Sequence, residues 1–559
     1  MPEHGKIELS KLIHVTNNSR LAPTLDNLRY TTDPTTIPAI WFRNTEDECD
    51  IAVNPTNPDN IIVVTHQDRF TNFLTDIAVY SLDGGKTWNE SSILLSRNQG
   101  ATIEAAANDY ESASDPHVIF DKEGNAYVIS VSFNTDNNFE EAVVVAKSTD
   151  GGVTWNMLTE IQRDDGNEHF QDYQHITADP YRKNTLYTVW SDDTALLGLD
   201  PNSTIFQKST DGGATWSPLS NIATYPGPTP DYGPLSSQLV VFPGHHHHLA
   251  VANFVSDQTA SLTSTTPAKV TLLRSKDDGL SWTEYLVADN IPLVTPTDPV
   301  TGRLILAGGT SVNIAVNNHN GKIYATWPDP RYNTNNGPGI VVAMSKDEGQ
   351  TWSTPVPVNP KNLGAQTFLS AITVLHNGLV GVTFYDLRNY TGDGPLWTDV
   401  WMAIFDEDLK HRVKEVRMTD ESFDTRQAMI RIPFNNAWFL GDYTGLTAHH
   451  NTFYACFAIT NPPYGAPPVE IPVTEFRIDN RDGEDFPNRQ DVVFRKVHVD
   501  GKDFKHKYSL RKFYDDDSSS EEDSEEHSRG IQQSNTRVIP KKTNNSSENP
   551  HGKFAGKRS

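Results

Sequence analysis

Acidic residues recur in register just ahead of strand-like runs in this chain. When the runs beginning Asp50-Ile51-Ala52-Val53, His117-Val118-Ile119-Phe120 and His175-Ile176-Thr177-Ala178 are superposed with later counterparts near Leu239, Asn313, Ile372 and Gly445, seven leading positions align. They hold Asp47, Ser114, Asp172, Ser236, Thr310, Leu369 and Asp442, with Asp115 one residue along. Convergence of these positions would bring three or four carboxylates together. Crowded carboxylates raise one another's pKa, which makes a general acid, and their oxygens also suit a hard cation. The same residues can simply cap loop N–H groups. Tyr443, beside Asp442 in Gly441-Asp442-Tyr443-Thr444-Gly445, adds a phenol on the same side. Asp115, Asp172, Asp442 and Tyr443 are therefore the candidate catalytic groups, with Asp47 a candidate contact to substrate.

A second alignment, at the end of the following strand, gives Thr65-His66-Gln67-Asp68-Arg69, Thr326-Trp327-Pro328-Asp329-Pro330-Arg331 and Thr383-Phe384-Tyr385-Asp386-Leu387-Arg388. Arg69, Arg331 and Arg388 thus leave three repeats at one level, and guanidinium forks suit a carboxylate ligand. Each also has an Asp one or two residues before it, so a local ion pair is the competing reading.

The elements that must hold these groups announce themselves through five copies of Ser-x-Asp-x-Gly-x-(Thr/Ser)-Trp, ending at Trp88, Trp155, Trp216, Trp282 and Trp352 and spaced 60 to 70 residues apart. Each follows an aliphatic run such as Val143-Val144-Val145-Ala146. Asp and Gly then make a tight turn, and Thr-Trp starts another strand. The pattern is a β-hairpin with a Trp lid, and a fixed long period means repeated structural units. Removing the Trp155 lid is expected to cost roughly 3–5 kcal/mol, against under about 1 kcal/mol for Arg331→Ala on the other face.

These motifs resemble the Asp boxes (BNR repeats) of sialidases and related β-propellers, over about residues 45 to 500. The resemblance implies a propeller with the boxes on the face opposite the active site. It also implies a role for the arginines, because sialidases hold the sialic acid carboxylate with three of them. Ile430-Arg431-Ile432-Pro433 resembles the Phe/Tyr-Arg-Ile-Pro motif that supplies one such arginine, which adds Arg431 to the substrate-binding candidates. Here it precedes the last repeat rather than the first blade, and Ile replaces the aromatic residue. The family's Tyr/Glu nucleophile pair has no clear counterpart. Fold of this kind does not confer activity.

Seven copies of the two-strand unit precede the boxes or their positions, the last two followed by Val400–Asp406 and Val492–Val497 in place of a box. The expected fold is an all-β propeller of seven four-stranded blades, with six blades the alternative if the final repeat completes an earlier one. The expected organisation is an N-terminal extension over 1–44, the propeller over 45–508 and a disordered tail over 509–559, with 461–490 a long Pro- and charge-rich loop. The net charge of −26 argues against nucleic acid. No apolar run of about 18 residues or secretion signal is visible, so no membrane insertion is expected. Only Cys49 and Cys456 are present, one in the first repeat and one in the last, so they would be neighbours in a closed ring, as thiols or as one disulfide. His245-His246-His247-His248 reads as a solvated turn, and neither cofactor nor metal is called for. The expected partner is a glycan or glycoconjugate, met by hydrolysis of sialidase type. The other reading is non-catalytic binding of carbohydrate or protein on the surface of a cell or particle, with Trp190, Trp327 and Trp397 as exposed stacking platforms.

Overall fold

The computed structural model describes residues 6–16, 45–68, 74–93, 95–96, 110–134, 140–164, 169–193, 202–227, 232–244, 247–257, 266–307, 311–334, 337–359, 364–431, 437–460 and 490–500. The expected tail over 509–559 lies outside the described residues, as does the expected loop over 461–490 except for Gln490, which begins a strand.

Seven antiparallel sheets of four strands form the body. Their innermost strands are Thr45–Val53, Ser112–Phe120, Gln171–Ala178, Tyr232–Val241, Asn313–Val316, Thr367–Val374 and Gly445–His449. Each packs against the next, and the last packs against the first, so the ring is closed with seven blades. Blade 7 takes its fourth strand from the other end of the chain: Ile7–Leu9 pairs with Gln490–Val499, and Ile13–His14 pairs further along the same strand. Part of the segment read as an N-terminal extension thus completes the ring. A small sheet of Ile305–Leu306, Ala437–Phe439 and Met429–Arg431 stands outside the blades.

Aliphatic runs such as Ile61-Ile62-Val63-Val64 are wholly buried. They belong to second strands, which neighbouring blades cover on both faces, so alternation gives way to continuous apolar sequence. Trp190 and Trp327 lie on such strands and are 0% exposed, which removes them as stacking platforms. A large indole between blades contributes more by burial than it could at the surface. Trp397 is half-buried.

The Asp boxes join blade to blade. In the second box, Asp150 Oδ1 accepts from Ser148 Oγ at 2.8 Å and from Thr154 N–H at 2.9 Å, while Gly152 N–H donates to Ser148 Oγ at 2.9 Å. Gly152 has φ +89°, and a Cβ there would lie 2.7 Å from Ile62 Cδ1 of the preceding blade. The equivalent Gly85, Gly279 and Gly349 meet Phe494, Phe206 and Leu272 of the blade before in the same way. Only glycine combines the left-handed turn with so close an approach. Cys49 and Cys456 are both buried free thiols in one apolar cluster that spans the seam between blades 1 and 7. Among the described residues no helix is long and apolar enough to cross a membrane.

Candidate active site

Each inner strand runs away from one face of the ring, and the Asp boxes follow third strands running parallel to it. The start of every inner strand is therefore on the face opposite the boxes. Near that start the pairing with the second strand slips, between Asp47 and Asp50, Ser114 and His117, Asp172 and His175, and Phe368 and Ala371. The first residue inside each bulge has positive φ: Glu48 at 49°, Asp115 at 59°, Tyr173 at 51° and Leu369 at 50°. Left-handed backbone at four bulky residues costs energy, and bulges of this kind re-aim side chains. In blades 1, 2 and 3 they gather polar groups. Blade 7 brings its own segment alongside, since a Cβ on Gly441 would lie 2.7 Å from the Glu48 nitrogen.

The result is a two-layered acidic cluster. Asp115, Asp172, Tyr173 and Asp442 are part-exposed, while Asp47, Glu48, His66, Asp76 and Tyr443 are buried. Burial, then the charges of Asp115, Asp193 and Asp442, push the Asp172 carboxyl well above the usual range. Burial likewise raises Asp76, with Asp115 and Glu48 adding to it against the hydroxyl of Ser130, which donates to Asp76. Both changes favour the protonated carboxylic acid.

The buried layer is tied by hydrogen bonds. His66 Nδ1 lies 3.0 Å from Glu48 Oε2 and 3.3 Å from Ser114 Oγ, and Thr65 Oγ1 donates to the Asp47 carbonyl at 2.5 Å. Gln174 Nε2 donates to the Asp115 carbonyl at 2.6 Å, which clamps the strained bulge. Tyr443 donates its hydroxyl to the Pro116 carbonyl at 3.3 Å and stacks on His117 at 4.4 Å between centroids. Burial, then Asp115 and Glu48, raise its pKa well above the ordinary phenol value. Held this way, Tyr443 is a neutral wall of the site. Beside His117, at 5.3 Å between centroids, His175 is driven down to about 3, by burial first and then by His117, so it is a neutral imidazole.

Of the residues selected from sequence, the structure brings Asp47, Asp115, Asp172, Asp442 and Tyr443 together. The arginines are elsewhere. Arg331 pairs with Asp329 at 2.6 Å and donates to the carbonyls of Asp289 and Asn290 at the end of the outermost strand of blade 4. Arg388 pairs with Asp386 at 2.6 Å and with Glu415 on the outermost strand of its own blade, its guanidinium 3.9 Å from the Trp401 ring centroid. Both thus lie at the outer rim. Arg69 lies outside the described residues, as does the side chain of Arg431. Glu48, His66, Asp76, Tyr173 and Gln174 are the residues that sequence comparison did not select. Glu48 and Tyr173 occupy the bulge position at which Asp115 was noticed, so the bulge register was the signal that would have found them.

Asp47, Glu48 and His66 offer ligand atoms within 4.8 Å of one another, the one such group of three among the described residues. The contact of His66 with Glu48 already accounts for their proximity.

A family model described as BNR/Asp-box repeat matches residues 79–90. No curated protein is detectably similar in sequence. Among solved structures, the chain is similar to a GH93 α-L-arabinofuranosidase of Fusarium graminearum in complex with arabinobiose, at 14% identity and a TM-score of 0.39 over 62% of this chain and 90% of that one. An α-L-arabinanase of Penicillium chrysogenum with arabinobiose gives 14%, 0.42, 66% and 98%, and a Hadza microbial sialidase gives 14%, 0.40, 71% and 70%. The chain is an Asp-box β-propeller with seven blades.

Proposed function

We propose that this propeller hydrolyses a neutral glycan at the acidic mouth formed by blades 1, 2, 3 and 7. One observation carries the reading: three part-exposed carboxylates, Asp115, Asp172 and Asp442, share the mouth, and burial, then the charge of its neighbours, raises the Asp172 pKa and so favours its protonated form. Glycoside hydrolysis needs this division between a protonated acid and an ionised partner. Asp172 is assigned as the general acid that protonates the leaving oxygen. Asp115 and Asp442 supply the negative charge that stabilises a developing oxocarbenium ion or activates water. Tyr173, part-exposed beside them, offers a ring for a sugar face. Arg331 and Arg388 face other partners at the rim, and the body carries strong negative charge, so an uncharged sugar fits better than an anionic one.

The test is release of sugar from a panel holding arabino-oligosaccharides, other neutral glycosides and sialosides, with wild type and Asp172→Asn. Hydrolysis of a neutral substrate is expected, with kcat lowered roughly 10²–10⁴-fold in the variant and KM little changed. The wild-type rate should fall as pH rises through the elevated Asp172 pKa, since the acid must stay protonated. Unchanged hydrolysis by Asp172→Asn would remove the assignment. Binding without release from any substrate would leave a non-catalytic lectin-like propeller.

A further inference from the structure

On the opposite face, the turns between first and second strands carry histidines in three successive blades. His319 stands between Asn313–Val316 and Ile323–Pro328 of blade 5, and His376 between Thr367–Val374 and Val380–Asp386 of blade 6. His449 and His450 stand at the turn between Gly445–His449 and Thr452–Thr460 of blade 7. His319, His376 and His450 are exposed, and His449 is half-buried. Their rings form a continuous arc, with centroids 4.0 Å apart for His319 and His376, 6.0 Å for His376 and His450, and 4.3 Å for His449 and His450.

The backbone holds this arc in place. The His376 N–H donates to the His450 carbonyl at 3.0 Å, joining the turns of blades 6 and 7. The His319 N–H donates to Asn317 Oδ1 at 2.9 Å, which fixes the turn of blade 5. His319 Nε2 and His376 Nδ1 point at one another 2.8 Å apart. That contact is a hydrogen bond, one ring N–H donating to the other ring's lone pair. Two imidazole nitrogens on one tetrahedral zinc ion, each at roughly 2.0–2.1 Å, sit about 3.3 Å apart with both lone pairs aimed at the metal, so the pair must open by about 0.5 Å and both rings must turn to admit it.

We propose that His319, His376 and His450 bind a borderline divalent transition ion, zinc(II) or nickel(II), bridging blades 5, 6 and 7 on the face away from the carboxylate mouth. His319 ligates through Nε2 and His376 through Nδ1, each carrying its proton on the other ring nitrogen, so no proton need be lost. As the rings now stand, the His450 nitrogens are not within ligand distance of both other histidines, so a rotamer change at this exposed ring must supply the third nitrogen, with water completing the shell. An all-imidazole set without thiolate selects zinc, nickel or copper over magnesium or calcium. A bridging ion would stabilise the closed ring, because it binds only the folded arrangement of three turns.

The full chain is titrated with zinc chloride in a calorimeter and melted with and without zinc. One zinc per chain and a higher melting temperature are expected. His376→Ala and His319→Ala should each weaken binding roughly tenfold or more and abolish the thermal shift, while leaving the metal-free melting curve unchanged. His247→Ala, in the equivalent turn of blade 4, should change neither. Absence of saturable binding, binding that survives both His376→Ala and His319→Ala, or binding lost in His247→Ala would overturn the proposal. Should His376→Ala alter the metal-free melt, His319→Ala alone decides.

Discussion

Replacing Trp155 by Ala tests whether the Asp box is the joint between blades. The Trp155 side chain is 6% exposed and packs in one cluster with Ile62, Val64 and Ala78 of blade 1 and Val128, Val144 and Ala146 of its own blade. Its indole N–H donates to Ser91 Oγ at 3.1 Å, on the outermost strand of blade 1. Truncation leaves a cavity at the seam and costs about 3–5 kcal/mol, of which the hydrogen bond is about 1 kcal/mol. Arg331→Ala is the comparison. From sequence its cost was expected to be under about 1 kcal/mol, but the structure raises that figure. The partner Asp329 is 0% exposed and loses a bidentate guanidinium, although the backbone N–H of residue 331 still donates to it. The half-exposed guanidinium is screened by water, so the cost is about 1–2 kcal/mol. Urea denaturation of both variants measures the difference. If Arg331→Ala proves the more destabilising, the box does not bind blade to blade as described.

Further outcomes follow from the same geometry. Gly152→Ala should cost at least about 2 kcal/mol in urea denaturation because it adds a clash with Ile62 to a left-handed backbone, while Gly302→Ala, with φ +71° and open space around it, should cost about 1 kcal/mol. Burial first, with Asp164, Asp192 and Asp193 adding, pushes Glu141 up to about 9. Its ionisation therefore costs stability increasingly from the unfolded pKa near 4.5 up to about 9, and Glu141→Gln should flatten the pH dependence of the melting temperature in that window. Asp211 behaves oppositely: hydrogen bonds from Thr215 hold it down to about 2. Its contribution is complete above the unfolded pKa near 4 and lost as pH falls toward about 2, so Asp211→Asn should make acid melts less steep. Deleting residues 1–14 strips two strands from Gln490–Val499, and a lower urea midpoint with faster proteolysis of blade 7 is expected.

The blades were readable because their signals are local. An Asp box closes its hydrogen bonds within a few residues, as between Ser148, Asp150 and Thr154, so its composition carries the turn wherever the chain goes. Counting two-strand units gave seven for the same reason, even where blades 6 and 7 lack the box. The carboxylates were found through their position relative to those units, and Asp115 was noticed although it sits one residue out of line. Its displacement is the bulge. A bulge is a register slip between paired strands, so Glu48, Tyr173 and Leu369 became equivalent to Asp115 only once the second strands were in place. The arginines show the other limit. Arg331 and Arg388 occupy equivalent levels in the repeats, but a guanidinium goes to the buried carboxylate nearest it, and blade radius decided that these lie at the rim. Which strand completes blade 7 was likewise decided by closure: a ring must bring its ends together, and the exposed edge of Gln490–Val499 takes Ile7–Leu9, which local sequence cannot announce.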